Sequence, residues 1–409
     1  MTTLAWLRRH VRAIVAAGLA LLVLIAAGIV ATWHFSSLVL IPDHSPWSEK
    51  VDVKAVSPGR IVLARDEATS RPGYYGLVWQ AGHAIVGPIL SEDTDTVRRR
   101  LSNVRGYLEP GLDTGFDSSV YSGNPRETRG LPFRSVDVPD ELGPMPAWLI
   151  PGSSRTWAIV VHGINDDREV GLRVAPVLHR AGLPTLLISY RDDLGAPSSP
   201  DGHHHQGETE WRDLAAAARY ALAHGARRLV LDGYSMGGAL ISQFMERSRL
   251  AKRVSALVLD APALDWKAIL EFNAERMGLP GFLALPAEWA IDVRTAPDWG
   301  SLDALQHPND FHLPILLFHG TEDHVVPIST SDKFARKLGS KVTYYRVPKA
   351  GHTQSWNVAP RLYDRRLRRF LLQIMPKTSR ARPHRSGSRK KEPAATYSPR
   401  GLPPKYHRR

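Results

Sequence analysis

Residues 229–245 read LVLDGYSMGGALISQFM, and the fold turns on this stretch. The apolar run LVLD has the look of a buried strand, and GGALISQFM opens with small residues and continues with helical spacing. Between them lies Gly233-Tyr234-Ser235-Met236-Gly237, a G-x-S-x-G pentapeptide joining a strand to a helix. The pentapeptide alone says little, because glycine and serine are common. Its setting says more. A serine on a sharp strand-to-helix turn needs glycine on either side, since larger residues would strike the neighbouring strand and helix. Such a turn raises the hydroxyl above the sheet and beside a helix N-terminus, whose dipole favours developing negative charge.

A serine hydroxyl is a poor nucleophile unless a base takes its proton. Two downstream segments supply candidates. HGTEDHVVP (319–327) places Asp323 just after an apolar strand, and KAGHTQSW (349–356) places His352 after the last one. The chain order Ser235, Asp323, His352 matches one of the known orders of the Ser-His-Asp triad. Asp260, at the end of VLDA, ranks behind Asp323 as the acid, and His319 and His324 are read as structural. An oxyanion hole needs two backbone donors. The expected pair is Met236, directly after the serine, and Ile164 in HGIN (162–165), where Gly163 admits a close backbone approach. Asn165 and Asp166 are expected to cap the following helix.

The rest of 132–375 alternates short apolar runs with helical periods. FRSVDVP (133–139) and MPAWLIPG (145–152) suggest a hairpin. TWAIVVHG, PTLLISY, RRLVLDG, VSALVLDAP, PILLFHG and KVTYYRVP then follow as strands, with helices expected at about 168–181, 208–225, 328–338 and 356–374. Apolar strands without alternation, separated by helices, indicate a mostly parallel sheet covered on both faces. Residues 263–313 break the rhythm with many large apolar residues, and read as a helical lid insertion. Most of those residues are expected to dock the insertion, and they also suit a lipophilic pocket.

Taken together, GYSMGG, HGIN, HGTEDHVVP and AGHTQSW resemble the serine α/β-hydrolase superfamily over roughly 132–375. The Ser-Met-Gly-Gly form is similar to its monoacylglycerol-lipase-like, serine-aminopeptidase-like and membrane-anchored acyl-thioesterase-like members. The resemblance implies an α/β-hydrolase fold with a mostly parallel eight-stranded sheet and a helical lid. It also implies cleavage of an ester or thioester through an acyl-enzyme on Ser235. Peptide or amide cleavage and acyl transfer share that intermediate, and an inactive hydrolase-fold scaffold is an alternative of another class. Epoxide hydrolases and haloalkane dehalogenases carry aspartate at this turn, so Ser235 separates the chain from both.

The two ends differ from the centre. Residues 13–31 hold no charged side chain and follow Arg8, Arg9 and Arg12. That length is close to the roughly 20 residues that cross a bilayer. The cationic flank predicts a single-pass anchor with a cytoplasmic N-terminus and an extracytoplasmic hydrolase domain. A cleavable signal peptide is the rival reading, but the apolar run is long for one and no clean cleavage site follows. Residues 51–131 read as a β-rich accessory region of unread function, with DTVRRRLSNV (95–104) as its one helical period. From 376 to 409, eleven Lys or Arg stand against Glu392 alone, which supplies +10 of the chain's formal +13. This basic tail suits an anionic surface or is simply a solvated tail, and nucleic acid ranks behind both. With no cysteine in the chain, disulfides and thiolate chemistry are excluded. No phosphate-binding glycine pattern appears, so no nucleotide cofactor is expected. His203-His204-His205 sits in a turn-rich segment, read as a surface or substrate-entry loop and not a metal site.

Overall fold

The computed structural model describes residues 2–45 and 49–375. The basic tail at 376–409 lies outside the described residues. Apolar, helix-forming sequence without a breaker before Pro42 makes one continuous helix, Thr2–Leu40. Its stretch Ile14–Leu40 is long and apolar enough to cross a membrane.

Seven strands follow: β1 (Glu49–Val51), β2 (Val53–Ser57), β3 (Arg60–Ala64), β4 (Tyr75–Trp79), β5 (Gly82–Glu92), β6 (Thr96–Arg105) and β7 (Thr114–Asp117). They form an antiparallel sheet in the order β1-β7-β4-β5-β6-β3-β2 around Ile61, Leu63, Tyr75, Leu77, Val86 and Phe116. The helical reading of 95–104 is corrected here, because that stretch is most of β6. Val97, Arg99 and Leu101 point inward while Arg98 and Arg100 are exposed, the two-residue period of a strand. Arg99 is buried because Tyr75 and Phe116 carry its guanidinium and four carbonyls accept from it, those of Thr69, Arg71, Gly73 and Gly87.

The larger sheet is built from β8 (Arg134–Asp140), β9 (Gly143–Ile150), β10 (Thr156–Val161), β11 (Thr185–Ile188), β12 (Arg228–Tyr234), β13 (Val254–Asp260), β14 (Ile315–Gly320) and β15 (Val342–Val347). The order is β15-β14-β13-β12-β10-β11-β9-β8. The strands from β15 across to β11 pair in parallel, and β9 and β8 complete the sheet antiparallel. Central strands such as TWAIVV and ILLFHG are buried at every position, while the edge strand β15 is only partly so. The helix expected at 168–181 is instead a 3-10 turn, Arg168–Arg173, followed by a short helix, Ala175–Arg180. Pro176 cannot donate to a continuous ladder, so the first turn stops short of it.

The insertion between β13 and β14 contains the helices Trp266–Arg276 and Leu285–Thr295. It touches the loops at the C-terminal edge of the sheet: Asn273 Nδ2 donates to the Val325 carbonyl, and the Trp266 indole to that of Gln206. Trp266, Ile269, Ala290 and Ile291 dock it. Phe282, Leu285, Trp289 and Val293 stay exposed, contrary to the docking role expected of most such residues.

Candidate active site

The ends of β10, β12, β14 and β15 are neighbours or near neighbours in the sheet, and each delivers one part of the site. After β12 the chain turns at Ser235 with φ 51° and ψ −119°, a left-handed-side conformation that costs about 1–3 kcal/mol for a residue with a side chain. The turn is as tight as sterics allow. A Cβ on Gly237 would lie 2.3 Å from the Val161 carbonyl oxygen, and one on Gly163 would lie 3.0 Å from Ser235 Cβ. The helix Met236–Arg247 starts directly after the serine.

The structure brings Ser235, His352 and Asp323 together. Ser235 Oγ lies 2.8 Å from His352 Nε2, and His352 Nδ1 lies 2.8 Å from Asp323 Oδ2. With the ring proton on Nδ1 facing the carboxylate, Nε2 accepts from the serine hydroxyl. Asp323 Oδ1 accepts from the amides of Val325 and Val326, so the carboxylate is fixed at both oxygens. Burial opposes the Asp323 charge, but the two histidines beside it outweigh burial and hold the carboxyl well below the usual carboxylate range. Burial likewise opposes charge on His352, and Asp323 more than compensates, raising the imidazole above its ordinary value. Asp260 is placed elsewhere: it is fully buried and accepts from Ser355 Oγ at 2.8 Å.

His319, read from the sequence as structural, stands beside the Asp323 carboxylate. It is buried, with Nδ1 at Ser331 Oγ and Nε2 3.1 Å from Asp323 Oδ2. The loop after β10 also has supports that local sequence did not announce. The Gly163 carbonyl accepts from Tyr190 Oη at 2.7 Å and His162 Nδ1 at 2.8 Å, while His162 Nε2 meets Asp193 Oδ2 at 2.8 Å. Burial disfavours a charged His162, but Asp193 overrides it and lifts the imidazole to about 9. The His162 ring stacks on Tyr190.

Two expectations for flanking residues are corrected. Asp167, not Asn165 or Asp166, caps the turn that follows, accepting from the Glu169 amide. Asn165 has φ 54° and points its Oδ1 at the Asp43 amide (2.9 Å) and at His204 Nε2 (3.1 Å). The histidine run is not a surface loop throughout: His204 is buried, and its amide donates to the Leu40 carbonyl at 2.7 Å. Among the described residues, no group of three His, Asp or Glu side chains is arranged to hold a metal.

The accessory sheet reaches the site from behind. Asn357 is fully buried; its Oδ1 accepts from Arg173, and its Nδ2 donates to the carbonyls of Tyr74 and Ser118. Tyr75 Oη donates to Gln354 Oε1, two residues past His352, and Arg173 also holds the Thr353 carbonyl.

Residues 177–377 match the prolyl oligopeptidase family, and residues 52–117 match a domain family of unknown function, DUF8805. An uncharacterized protein of Mycobacterium tuberculosis is 28% identical over 230 residues, which is 55% of this chain and 74% of that one. Human protein ABHD12B is 26% identical over 190 residues, covering 43% of this chain and 48% of its own. An esterase from Pyrococcus furiosus shares the fold at 19% identity and a TM-score of 0.52, covering 63% of this chain and 96% of the esterase. The strained serine turn thus stands on a sheet with the fold of that esterase, and the chain is similar to serine α/β-hydrolases.

Proposed function

We propose that the protein hydrolyses carboxylic esters or thioesters through an acyl-enzyme on Ser235. The observation that carries the reading is the unbroken contact series Ser235–His352–Asp323, with 2.8 Å at each link. In the proposed cycle Ser235 Oγ attacks the acyl carbonyl carbon as His352 Nε2 takes its proton. The oxyanion faces the amides of Met236 and Ile164. Collapse breaks the bond to the leaving alcohol or thiol, which receives the proton from His352. Water then attacks the acyl-serine, giving up a proton to His352, and the acid departs as Ser235 is restored. Asp323 stays ionised throughout and keeps the imidazolium oriented, as a triad carboxylate does.

The membrane reading is part of the proposal. The helix Thr2–Leu40, with its cationic N-terminal flank, is an uncleaved single-pass anchor that leaves the hydrolase domain extracytoplasmic. Burial of Ser36 and Leu40 supports retention, because cleavage before them would remove packed parts of the folded enzyme. The insertion 263–313 is the lid, and its apolar content suits a lipophilic acyl chain.

A second reading, amide or peptide cleavage, draws on the prolyl oligopeptidase match. The experiment that tests the first is fluorophosphonate labelling of wild type and Ser235→Ala, followed by esters of graded chain length, a thioester and an amide. Labelling of wild type alone with ester turnover agrees with the proposal. Unlabelled wild type would move the chain to the scaffold class, and faster amide than ester turnover would favour the peptidase.

A further inference from the structure

The helix Leu285–Thr295 has two unlike faces. Glu288, Ala290 and Ile291 are buried, Glu288 pairing with Lys267 at 3.2 Å. Leu285, Trp289 and Val293 recur every four residues, the spacing of one helix face, and each is at least 60% exposed. Phe282, one turn earlier, is exposed to 66%. A contiguous row of large apolar side chains left to water marks an interaction surface.

The neighbour of this row identifies what covers it. Arg294, on the same helix, donates from Nη1 to Ser36 Oγ at 3.1 Å and Ser37 Oγ at 2.9 Å, and lies over the Trp33 ring at 4.7 Å. Its Nη2 meets His203 Nε2 at 3.0 Å. The apolar stretch Ile14–Leu40 has 27 residues. At about 1.5 Å per residue it exceeds the roughly 30 Å hydrocarbon core by several residues. The surplus at its C-terminal end is the part that packs on the domain, with Ser36 and Leu40 buried. Arg294 therefore ties the lid helix to the anchor within a turn or two of the bilayer boundary, where tryptophan is favoured.

We infer that the row Phe282, Leu285, Trp289 and Val293 is a membrane-docking surface, and that its partner is the lipid bilayer in which the anchor sits. The lid then lies in the interfacial layer, and acyl substrate passes from the leaflet to Ser235 without crossing bulk water. The inference rests on the anchor reading above and extends it to the lid.

The test exploits the absence of cysteine from the chain. Full-length Leu22→Cys (anchor), Trp289→Cys (lid) and Tyr107→Cys (exposed accessory strand end) are each labelled with a polarity-sensitive nitrobenzoxadiazole. They are then reconstituted in phosphatidylcholine–phosphatidylglycerol vesicles with or without nitroxide-bearing lipid. The expected result is blue-shifted emission, quenched at least twofold by the lipid nitroxide, at Leu22 and Trp289 but not Tyr107. Quenching at Leu22 with Trp289 as water-exposed as Tyr107 overturns the docking surface and leaves the anchor intact. No quenching at either overturns both. Equal quenching at Tyr107 would make the contact nonspecific and overturn the proposal. A blue shift at Trp289 that ignores the lipid nitroxide would assign the face to a second copy or a protein partner instead. Val293→Cys repeats the reading at a second position. In a separate arm, Trp289→Asp slows hydrolysis of a long-chain ester in vesicles about tenfold while leaving fluorophosphonate labelling and short-ester turnover unchanged. Equal long-ester rates would count against the proposal, whereas wild type without any labelling would sink the hydrolase reading and not the docking surface.

Discussion

His319 Nε2 lies 3.1 Å from Asp323 Oδ2, the same oxygen that His352 Nδ1 approaches to 2.8 Å. Two imidazoles thus share one carboxylate oxygen, and Asp323 is oriented for His352 partly through a group outside the triad. Replacing His319 by Gln should lower kcat about tenfold with KM nearly constant, because the carboxylate loses one of its fixed contacts. An unchanged kcat would show that the Val325 and Val326 amides suffice.

The pH profile follows from the direction of the His352 shift. His352 acts as a base only when neutral, so activity rises as pH passes its pKa. Asp323 raises that pKa above the ordinary 6.5, which places the acid limb of kcat/KM above that value. Asp323→Asn should move the limb to lower pH and reduce kcat by about 10⁴-fold. A limb that stays in place in the variant would remove Asp323 as its cause.

Asn357 links the accessory sheet to the loop that carries His352, accepting from Arg173 and donating to Tyr74 and Ser118. Asn357→Ala removes three hydrogen bonds at once, to Arg173, Tyr74 and Ser118, at a cost of about 2–4 kcal/mol at the usual contribution per bond. Tyr75→Phe removes the hydroxyl that lies 3.1 Å from both Gln354 Oε1 and the Pro72 carbonyl, and should cost about 0.5–1.5 kcal/mol. Denaturant melts give the costs, and kcat of the folded Tyr75→Phe variant reports on His352 placement. Wild-type stability in Asn357→Ala would mean that the accessory sheet does not brace the loop.

What was legible in the sequence was whatever follows an apolar strand. Ser235, Asp323, His352 and Gly163 each sit just past such a run, so local pattern placed them. Features made by distant partners carried no local sign. Asn357 meets residues 239 and 283 positions away, and Asn165 meets Asp43 across 122. The pair Asn165-Asp166 before a helical period reads as a cap, and only the folded chain shows the Asn165 side chain turned toward Asp43 and His204. Arg98-Arg99-Arg100 misled in another way. The period of DTVRRRLSNV suggests a helix, yet the stretch is a strand in which Arg99 is buried by four carbonyls and two rings gathered from elsewhere in the sheet. The apolar lid residues were visible, but composition does not distinguish a docked face from an exposed one.

Asp232 lies fully buried below the serine turn, and burial, then the nearby Asp260, pushes its carboxyl up to about 8 from 3.8. The folded state therefore keeps a proton that the unfolded chain releases, and stability falls as pH rises from about 4 to about 8. Asp232→Asn cannot ionise, so its melting temperature relative to wild type should climb across that window. The gain should reach about 2–4 kcal/mol at pH 8 and fade near pH 4. A difference in melting temperature that does not vary with pH would refute this assignment.

The N-terminal helix and the loop after β10 meet at Asn165. Its Oδ1 takes the Asp43 amide and His204 Nε2, while the His204 amide binds the Leu40 carbonyl. Asn165 directly follows Ile164, so the end of the N-terminal helix and one proposed oxyanion donor are two hydrogen bonds apart. Removing an oxyanion donor outright costs about 10²–10³ in kcat. Loosening the loop that carries one should cost less, about tenfold, with KM within about twofold. Asn165→Gly tests this without backbone strain, because glycine adopts the left-handed φ of 54° freely. Asn165→Asp keeps an acceptor oxygen and should recover most of the loss on a short soluble ester. Equal rates in wild type and Asn165→Gly would make the junction a tether alone. A loss that Asn165→Asp repairs would make the last turns of the N-terminal helix part of the catalytic apparatus, since the missing acceptor, and not the fold, would then account for the fall in rate.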